Sequence, residues 1–138
     1  QLAGAVLGAL VYKFLMGHVY LHGPTSSSMG AWHMAFLEGL FTLALCLTFF
    51  AVNYSARARG TGAYGVAMGL ALASIGFSLA STTGGLVNPA VALGPAVLAM
   101  FMGKTVSVGY LVAYVLGPLV GGAVAGHLYH NTIRGKGE

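Results

Sequence analysis

The sequence predicts an all-α membrane protein, and three observations support this fold class. Of the 138 residues, 57% are hydrophobic and only 6% are charged, far outside the usual range of soluble globular domains. The apolar residues form long segments separated by short polar stretches, as expected of helices that cross a bilayer. Small residues recur four apart within these segments, as at Gly4 and Gly8, a spacing typical of closely packed transmembrane helices.

The apolar segments predict four spanning helices. A polar loop from His22 to Gly30 separates the first two, and a short loop with Arg57 and Arg59 separates the second and third. The last helix follows a turn at Lys104. The predicted spans cover residues 1–20, 33–54, 63–80 and 107–130.

A fifth apolar segment, between the third and fourth spans, is too short to cross a bilayer. Asn88 is a good helix N-cap and Pro89 suits the first helical position, so we expect a helix over about residues 89–98. Its approach is glycine-rich, which predicts a loop that dips into the membrane and returns as a re-entrant half-helix. Such backbone is tolerated at membrane depth only where protein buries it or where it lines a watery cavity, and the pattern therefore predicts a pore.

The residues around this segment resemble those of the aquaporin and glycerol-facilitator family. The resemblance covers nearly the whole chain: Thr83-Gly84-Gly85 before Asn88-Pro89-Ala90, Gly94-Pro95-Ala96 after it, and stretches at Gln1–Ala5, Ala35–Thr42 and Tyr114–Ala123 that resemble the third, fourth and sixth helices of the family. It implies a bundle of right-handed spanning helices with a re-entrant half-helix, assembled as a homotetramer in the lipid bilayer. Because the chain starts at Gln1 inside an apolar segment, we expect it to correspond to the second half of such a protein together with one helix of the first half.

The resemblance also implies roles for particular residues. Asn88, Pro89 and Ala90 form the Asn-Pro-Ala box of the pore, where the Asn88 amide orients a passing water or hydroxyl group. Glu38 holds the re-entrant loop by accepting hydrogen bonds from its backbone. The residues themselves suggest the same, because a carboxyl group inside a spanning helix is costly unless it is hydrogen-bonded. A proton relay is the alternative, but the spans contain no second acid.

The family's external constriction is expected at Gly76, Gly85 and Val91, with a fourth position in the missing half. Most members have an arginine where this chain has Val91, and mercurial-sensitive members have a cysteine at Gly85. The constriction should therefore be wide, weakly polar and uncharged. Gly76 is typical of glycerol-type members, whereas the residues at three further positions are typical of water channels: Ala92, Ala96 and Tyr114.

These features predict passive flow of water and small neutral solutes such as glycerol or urea. Two alternatives remain open: a non-conducting structural or junctional protein of the same fold, and a secondary transporter. The shortage of ionisable groups for ion or proton coupling argues against the transporter. No nucleophile or paired carboxylates suggest an enzyme, and we expect neither a cofactor nor a metal site. The net charge of +4 includes no basic cluster with interleaved aromatics, so nucleic acid is not an expected partner.

The basic residues also predict an orientation. Lys104 lies on one side of the predicted bundle, and four basic residues lie on the other: Arg57, Arg59, Arg134 and Lys136. Because cytoplasmic loops carry an excess of Lys and Arg, the C-terminus is expected to be cytosolic.

Overall fold

A computed structural model describes residues 1–21, 29–55, 58 and 61–133, and all regular structure in these ranges is helical. This confirms the predicted fold class. Five helices follow one another, and a π-helical turn, Tyr129–Ile133, continues the last: α1 (Leu2–Met16), α2 (Ala31–Tyr54), α3 (Ala63–Leu79), α4 (Pro89–Phe101) and α5 (Val108–Leu128). By length and composition, α2 and the continuous helix Val108–Thr132 can cross a membrane, whereas α1, α3 and α4 are shorter apolar helices.

Two α-helix ends differ from the predicted bounds by three residues or more, and the other ends lie within two residues of them. The first helix ends at Met16, four residues early, because Gly17 adopts a left-handed φ of 76° and donates its N–H to the Lys13 carbonyl. Helix α4 begins at Pro89 as predicted but continues to Phe101, since the chain turns only at Gly103, which has a φ of 72°. The half-helix is therefore 13 residues long, about 20 Å.

Helices α2 and α5 make the most intimate contact in the fold, and glycines permit it. A Cβ added to Gly39 would lie only 2.9 Å from the carbonyl oxygen of Gly117. Added Cβ atoms at Gly117 and Gly121 would collide with the carbonyl oxygens of Ala35 and Gly39 respectively. The two backbones therefore touch directly, as small residues allow between transmembrane helices.

The remaining helices pack around this pair. Helix α4 lies against α1, where a Cβ on Gly94 would come within 2.6 Å of the Ala5 Cβ. Helix α3 packs on α2, and its buried residues Ile75 and Leu79 cluster with Val87 from the segment that precedes α4. Residues 80–88, which we call the entry loop, follow α3, and Thr83, Leu86 and Val87 in this loop are buried.

The basic residues behind the predicted orientation lie outside the described residues: Arg57, Arg59, Arg134 and Lys136. Most of the predicted polar loop, residues 22–28, does so too.

Candidate functional site

The buried carboxylate of Glu38 on α2 binds the entry loop. Glu38 is 0% exposed. Its Oε1 accepts hydrogen bonds from Thr83 Oγ1 at 2.6 Å and from the Leu86 N–H at 3.2 Å, and its Oε2 accepts one from the Val87 N–H at 2.6 Å. The carboxyl group of Glu38 thus accepts all three bonds at once. Hydrogen bonds to a charged acceptor are among the stronger ones in proteins, and here they satisfy a group that would be costly to bury alone.

Two further side chains bind carbonyl groups of the same loop. The Tyr114 hydroxyl on α5 donates to the Thr83 carbonyl at 2.5 Å. Thr42, one turn after Glu38 on α2, donates to the Glu38 carbonyl at 2.6 Å and lies 3.3 Å from the Val87 carbonyl. The two crossing helices thus hold the loop near both ends.

The loop backbone is unusual in three places. Gly84 and Gly85 have φ values of 88° and 62°, which glycine adopts readily. Val87 has a φ of 42°, which is rare for a β-branched residue and costs about 1–3 kcal/mol. Its N–H is bound by Glu38 and its side chain is buried against α3. The surroundings therefore impose this conformation on the loop.

Six of the nine carbonyl oxygens in the loop accept no hydrogen bond from the described residues: those of residues 80–82, next to α3, and those of Gly84, Gly85 and Leu86. The last three are consecutive, and their N–H groups are paired with the Leu79 carbonyl, Thr83 Oγ1 and Glu38 Oε1. Backbone carbonyls inside a protein or a membrane need a donor, so these three call for one from outside this network, such as water.

Asn88 caps α4 with its side chain. Its Oδ1 accepts a hydrogen bond from the Ala90 N–H at 3.0 Å, and Pro89 occupies the first helical position. The amide nitrogen consequently faces away from α4, where Nδ2 lies 3.4 Å from Gln1 Oε1. This leaves an amide donor beside the positive end of the helix dipole.

The three predicted constriction residues lie on three different elements. Gly76 is on α3, and no atom lies within 4 Å of the Cβ that a larger residue would place there. Val91 is in the first turn of α4 and is 41% exposed, so both positions border open space. A Cβ at Gly85, in contrast, would lie 3.2 Å from the Ile75 carbonyl oxygen, so a side chain there would face α3.

Sequence reasoning missed part of the network. From the sequence, no role in holding the loop is predicted for Thr42 or Thr83, and Tyr114 is described only as a residue typical of water channels. For Thr42 a signal existed, because it lies four residues after Glu38 and therefore on the same helix face. Nothing in the local pattern links Tyr114 to Thr83, since 31 residues separate them.

No three His, Cys, Asp or Glu side chains of the described part of the chain come together in a way that would hold a metal ion. His127 and His130, which are close in sequence, instead contact Asn131 near the end of α5.

Comparison with known protein families extends these observations to the whole chain. The family model described as Major intrinsic protein matches residues 1–129. The chain belongs to the major intrinsic protein family. Members of this family are integral membrane proteins, in agreement with the two helices that are long and apolar enough to span a bilayer.

Individual members of the major intrinsic protein family show the same relationship. Aquaporin TIP2-1 of Arabidopsis thaliana is 31% identical over 143 residues, which cover 100% of this chain and 54% of that protein. Glycerol uptake facilitator protein 3 of Lactiplantibacillus plantarum is 30% identical, with 94% of this chain and 60% of that protein covered. Aquaporin AqpM of Methanothermobacter marburgensis is 29% identical, with 94% and 54% covered. The chain thus spans about half the length of the curated relatives it matches, and their names include both aquaporins and a glycerol facilitator.

Proposed function

We propose that the intact protein is a passive transmembrane channel for water and small uncharged solutes such as glycerol or urea. The observation that carries this proposal is the set of carbonyl oxygens at Gly84, Gly85 and Leu86, for which the described residues supply no donor. A file of water or a polyol hydroxyl would satisfy these acceptors in turn. At the end of the loop, the Asn88 amide would offer a donor to the same molecules.

The charges near the loop favour neutral solutes. The N-terminus of α4 carries the equivalent of roughly half a positive charge, which disfavours cations. Val91 in its first turn adds no charge and no hydrogen-bond donor. We therefore propose a constriction at Gly76, Gly85 and Val91 that is wide, weakly polar and weakly selective between water and glycerol.

The bonding of Glu38 supports a channel over a proton-coupled transporter. Its carboxylate is fully buried and already accepts three hydrogen bonds, two of them from backbone N–H groups that define the loop. A proton on either oxygen would compete with the hydrogen bonds that this oxygen already accepts from the loop. Glu38 therefore suits a fixed structural role better than a cycle of proton uptake and release.

The proposal includes the assembly that the family resemblance implies, a homotetramer in a lipid bilayer with a cytosolic C-terminus. Large apolar side chains need lipid or protein around them, and several are almost fully exposed on this chain. Phe14 and Phe77 are each 88% exposed and Phe101 is 87% exposed. They lie on α1, α3 and α4, where the other half of the protein, a neighbouring subunit or lipid would cover them.

Val91→Arg in the full-length protein tests the proposed constriction. We expect stopped-flow measurements on proteoliposomes to show wild-type water and glycerol flux well above that of empty liposomes. The glycerol permeability of the variant should fall about tenfold, which corresponds to a rise of roughly 1.4 kcal/mol in the barrier to glycerol passage. Its water permeability should stay close to that of the wild type. The reason is that a guanidinium narrows the open space beside Val91 and binds water strongly.

Val91→Met is the matched control, because it lengthens the side chain without adding charge. It should lower the glycerol permeability less than Val91→Arg does. If the wild type is inserted and tetrameric yet shows no flux above empty liposomes, the channel proposal is wrong and the non-conducting alternative stands.

Mercurial reagents should inhibit the channel only weakly. The one cysteine, Cys46, lies on α2 eight residues beyond Glu38, about 12 Å along the helix. Its Sγ faces Gly122 of α5, 3.8 Å from the Cβ that a larger residue would carry there. We expect water permeability with and without mercuric chloride to differ little, in the wild type and in Cys46→Ser alike. A strong block that thiols reverse and Cys46→Ser abolishes would contradict this prediction.

A further inference from the structure

Among the described residues, one hydrogen bond joins α5 to the backbone of the entry loop, and the Tyr114 hydroxyl donates it. Tyr114 is 3% exposed, and its ring packs in a cluster with Met34 and Leu86. The hydroxyl donates to the Thr83 carbonyl at 2.5 Å. A buried phenol with so short a bond is held firmly at both its ring and its polar end.

Thr83 is thereby bound at two points by two different helices. Its side chain donates to Glu38 on α2, and its carbonyl accepts from Tyr114 on α5. The peptide plane between Thr83 and Gly84 is consequently fixed. Glu38 fixes the other end of the loop through the Leu86 and Val87 N–H groups.

Between these two fixed points lie Gly84 and Gly85, which have no side chains and adopt positive φ values. Glycine rotates more freely about φ and ψ than any other residue. The Gly84 carbonyl shares its peptide plane with the Gly85 N–H, which donates to Thr83 Oγ1 at 3.3 Å, so its direction depends on how firmly Thr83 is held. The Gly85 carbonyl shares its plane with the Leu86 N–H, which donates to Glu38. Without the Tyr114 bond, the Thr83–Gly84 peptide plane would be held only by the Gly84 N–H, which donates to the Leu79 carbonyl at 2.8 Å, and Thr83 would be fixed less tightly.

We infer that Tyr114 is a positioning residue: its hydroxyl holds Thr83, and Thr83 Oγ1 in turn binds the Gly85 N–H and so keeps the Gly84 carbonyl in a direction that discriminates water from glycerol. This inference rests on the proposed channel function. The role of Tyr114 concerns how well the channel discriminates water from glycerol, whereas Glu38 determines whether the entry loop forms.

The test compares Tyr114→Phe with Tyr110→Phe in the full-length protein. Both variants remove one phenolic hydroxyl from α5, one turn apart, and both positions border the same small cavity near Ala92 and Ala96. Glycerol and water permeability are measured on the same proteoliposomes, because their ratio does not depend on how many channels are inserted. Tyr114→Phe should raise the glycerol-to-water ratio about threefold or more, and Tyr110→Phe should leave it unchanged.

An unchanged ratio in Tyr114→Phe, with wild-type flux present, would overturn the inference and leave the channel proposal intact. Absence of flux in the wild type would instead overturn the channel proposal, and the inference with it. If Tyr114→Phe does not insert, amide hydrogen exchange of residues 80–88 in detergent decides the matter. Exchange should be faster in Tyr114→Phe than in Tyr110→Phe, and equal rates would refute the positioning role.

Discussion

Glu38→Gln should lower the free energy of unfolding by about 3 kcal/mol or more and reduce water permeability at least tenfold. Each hydrogen bond to a charged group contributes roughly 1.5–3 kcal/mol, and a buried donor left unpaired costs about 1–3 kcal/mol. Glu38 accepts three such bonds. Glutamine has only one acceptor oxygen, so one of its orientations places an NH₂ group against Val87 and the other places it against Thr83 and Leu86. In the first orientation the loop loses the bond that holds Val87 in its costly conformation, and in the second the Leu86 N–H loses its acceptor.

The measurements are a denaturant titration in detergent and stopped-flow flux in proteoliposomes. Glu138→Gln is the matched control, since it removes the same charge from the only other acidic residue in the sequence. We expect the control to behave as the wild type. Equal stability and flux in the two variants would show that the carboxylate of Glu38 is dispensable.

Gly121→Ala should destabilise the protein by about 3 kcal/mol, the upper end of the usual cost of overpacking. The added methyl group would occupy the position of the Gly39 carbonyl oxygen, and this oxygen is backbone and has no rotamer that could move it aside. Helices α2 and α5 would have to separate. Glu38 and Tyr114 lie on these two helices, close to the crossing, so separation would also pull both anchors from the entry loop.

Gly126→Ala is the control for this prediction, because it makes the same change on the same helix. No atom lies within 4 Å of the added Cβ at Gly126. We expect its stability to stay within about 0.5 kcal/mol of the wild type, as for most substitutions that meet no neighbour. Thermal unfolding in detergent compares the pair, and similar midpoints in Gly121→Ala and Gly126→Ala would contradict the close crossing.

The sequence predicted those features that depend on neighbouring residues. The Asn-Pro pair at residues 88 and 89 predicted where α4 begins, because capping and the fixed φ of proline are local effects. Gly17 was a local signal for the end of α1, because glycine commonly follows the last residue of a helix. The predicted span nevertheless continued to residue 20, since apolar residues extend beyond Gly17. The later end of α4 also had a local signal, since the apolar run continues over residues 99–102 and stops at Gly103 and Lys104.

Features that depend on tertiary contacts were harder to predict. The burial cost of a carboxyl group indicated that Glu38 must find donors, but its particular partners, Leu86 and Val87, are 48 and 49 residues away. The left-handed conformation of Val87 contradicts the preference of a β-branched residue, so propensity alone excludes it. Such a conformation becomes predictable only once the bonds to its N–H and the packing of its side chain are known.

The crossing of α2 and α5 has a thermodynamic consequence. Where helices meet through long side chains, association freezes rotamers, at an entropic cost of up to about 2 kcal/mol for each of the most flexible residues. Gly39, Gly117 and Gly121 have no rotamers to freeze, and helices within a bilayer already have ordered backbones before they associate. Association of these two helices at this point is therefore almost free of side-chain entropy loss. The side-chain contribution to the free energy of this association should therefore change little with temperature.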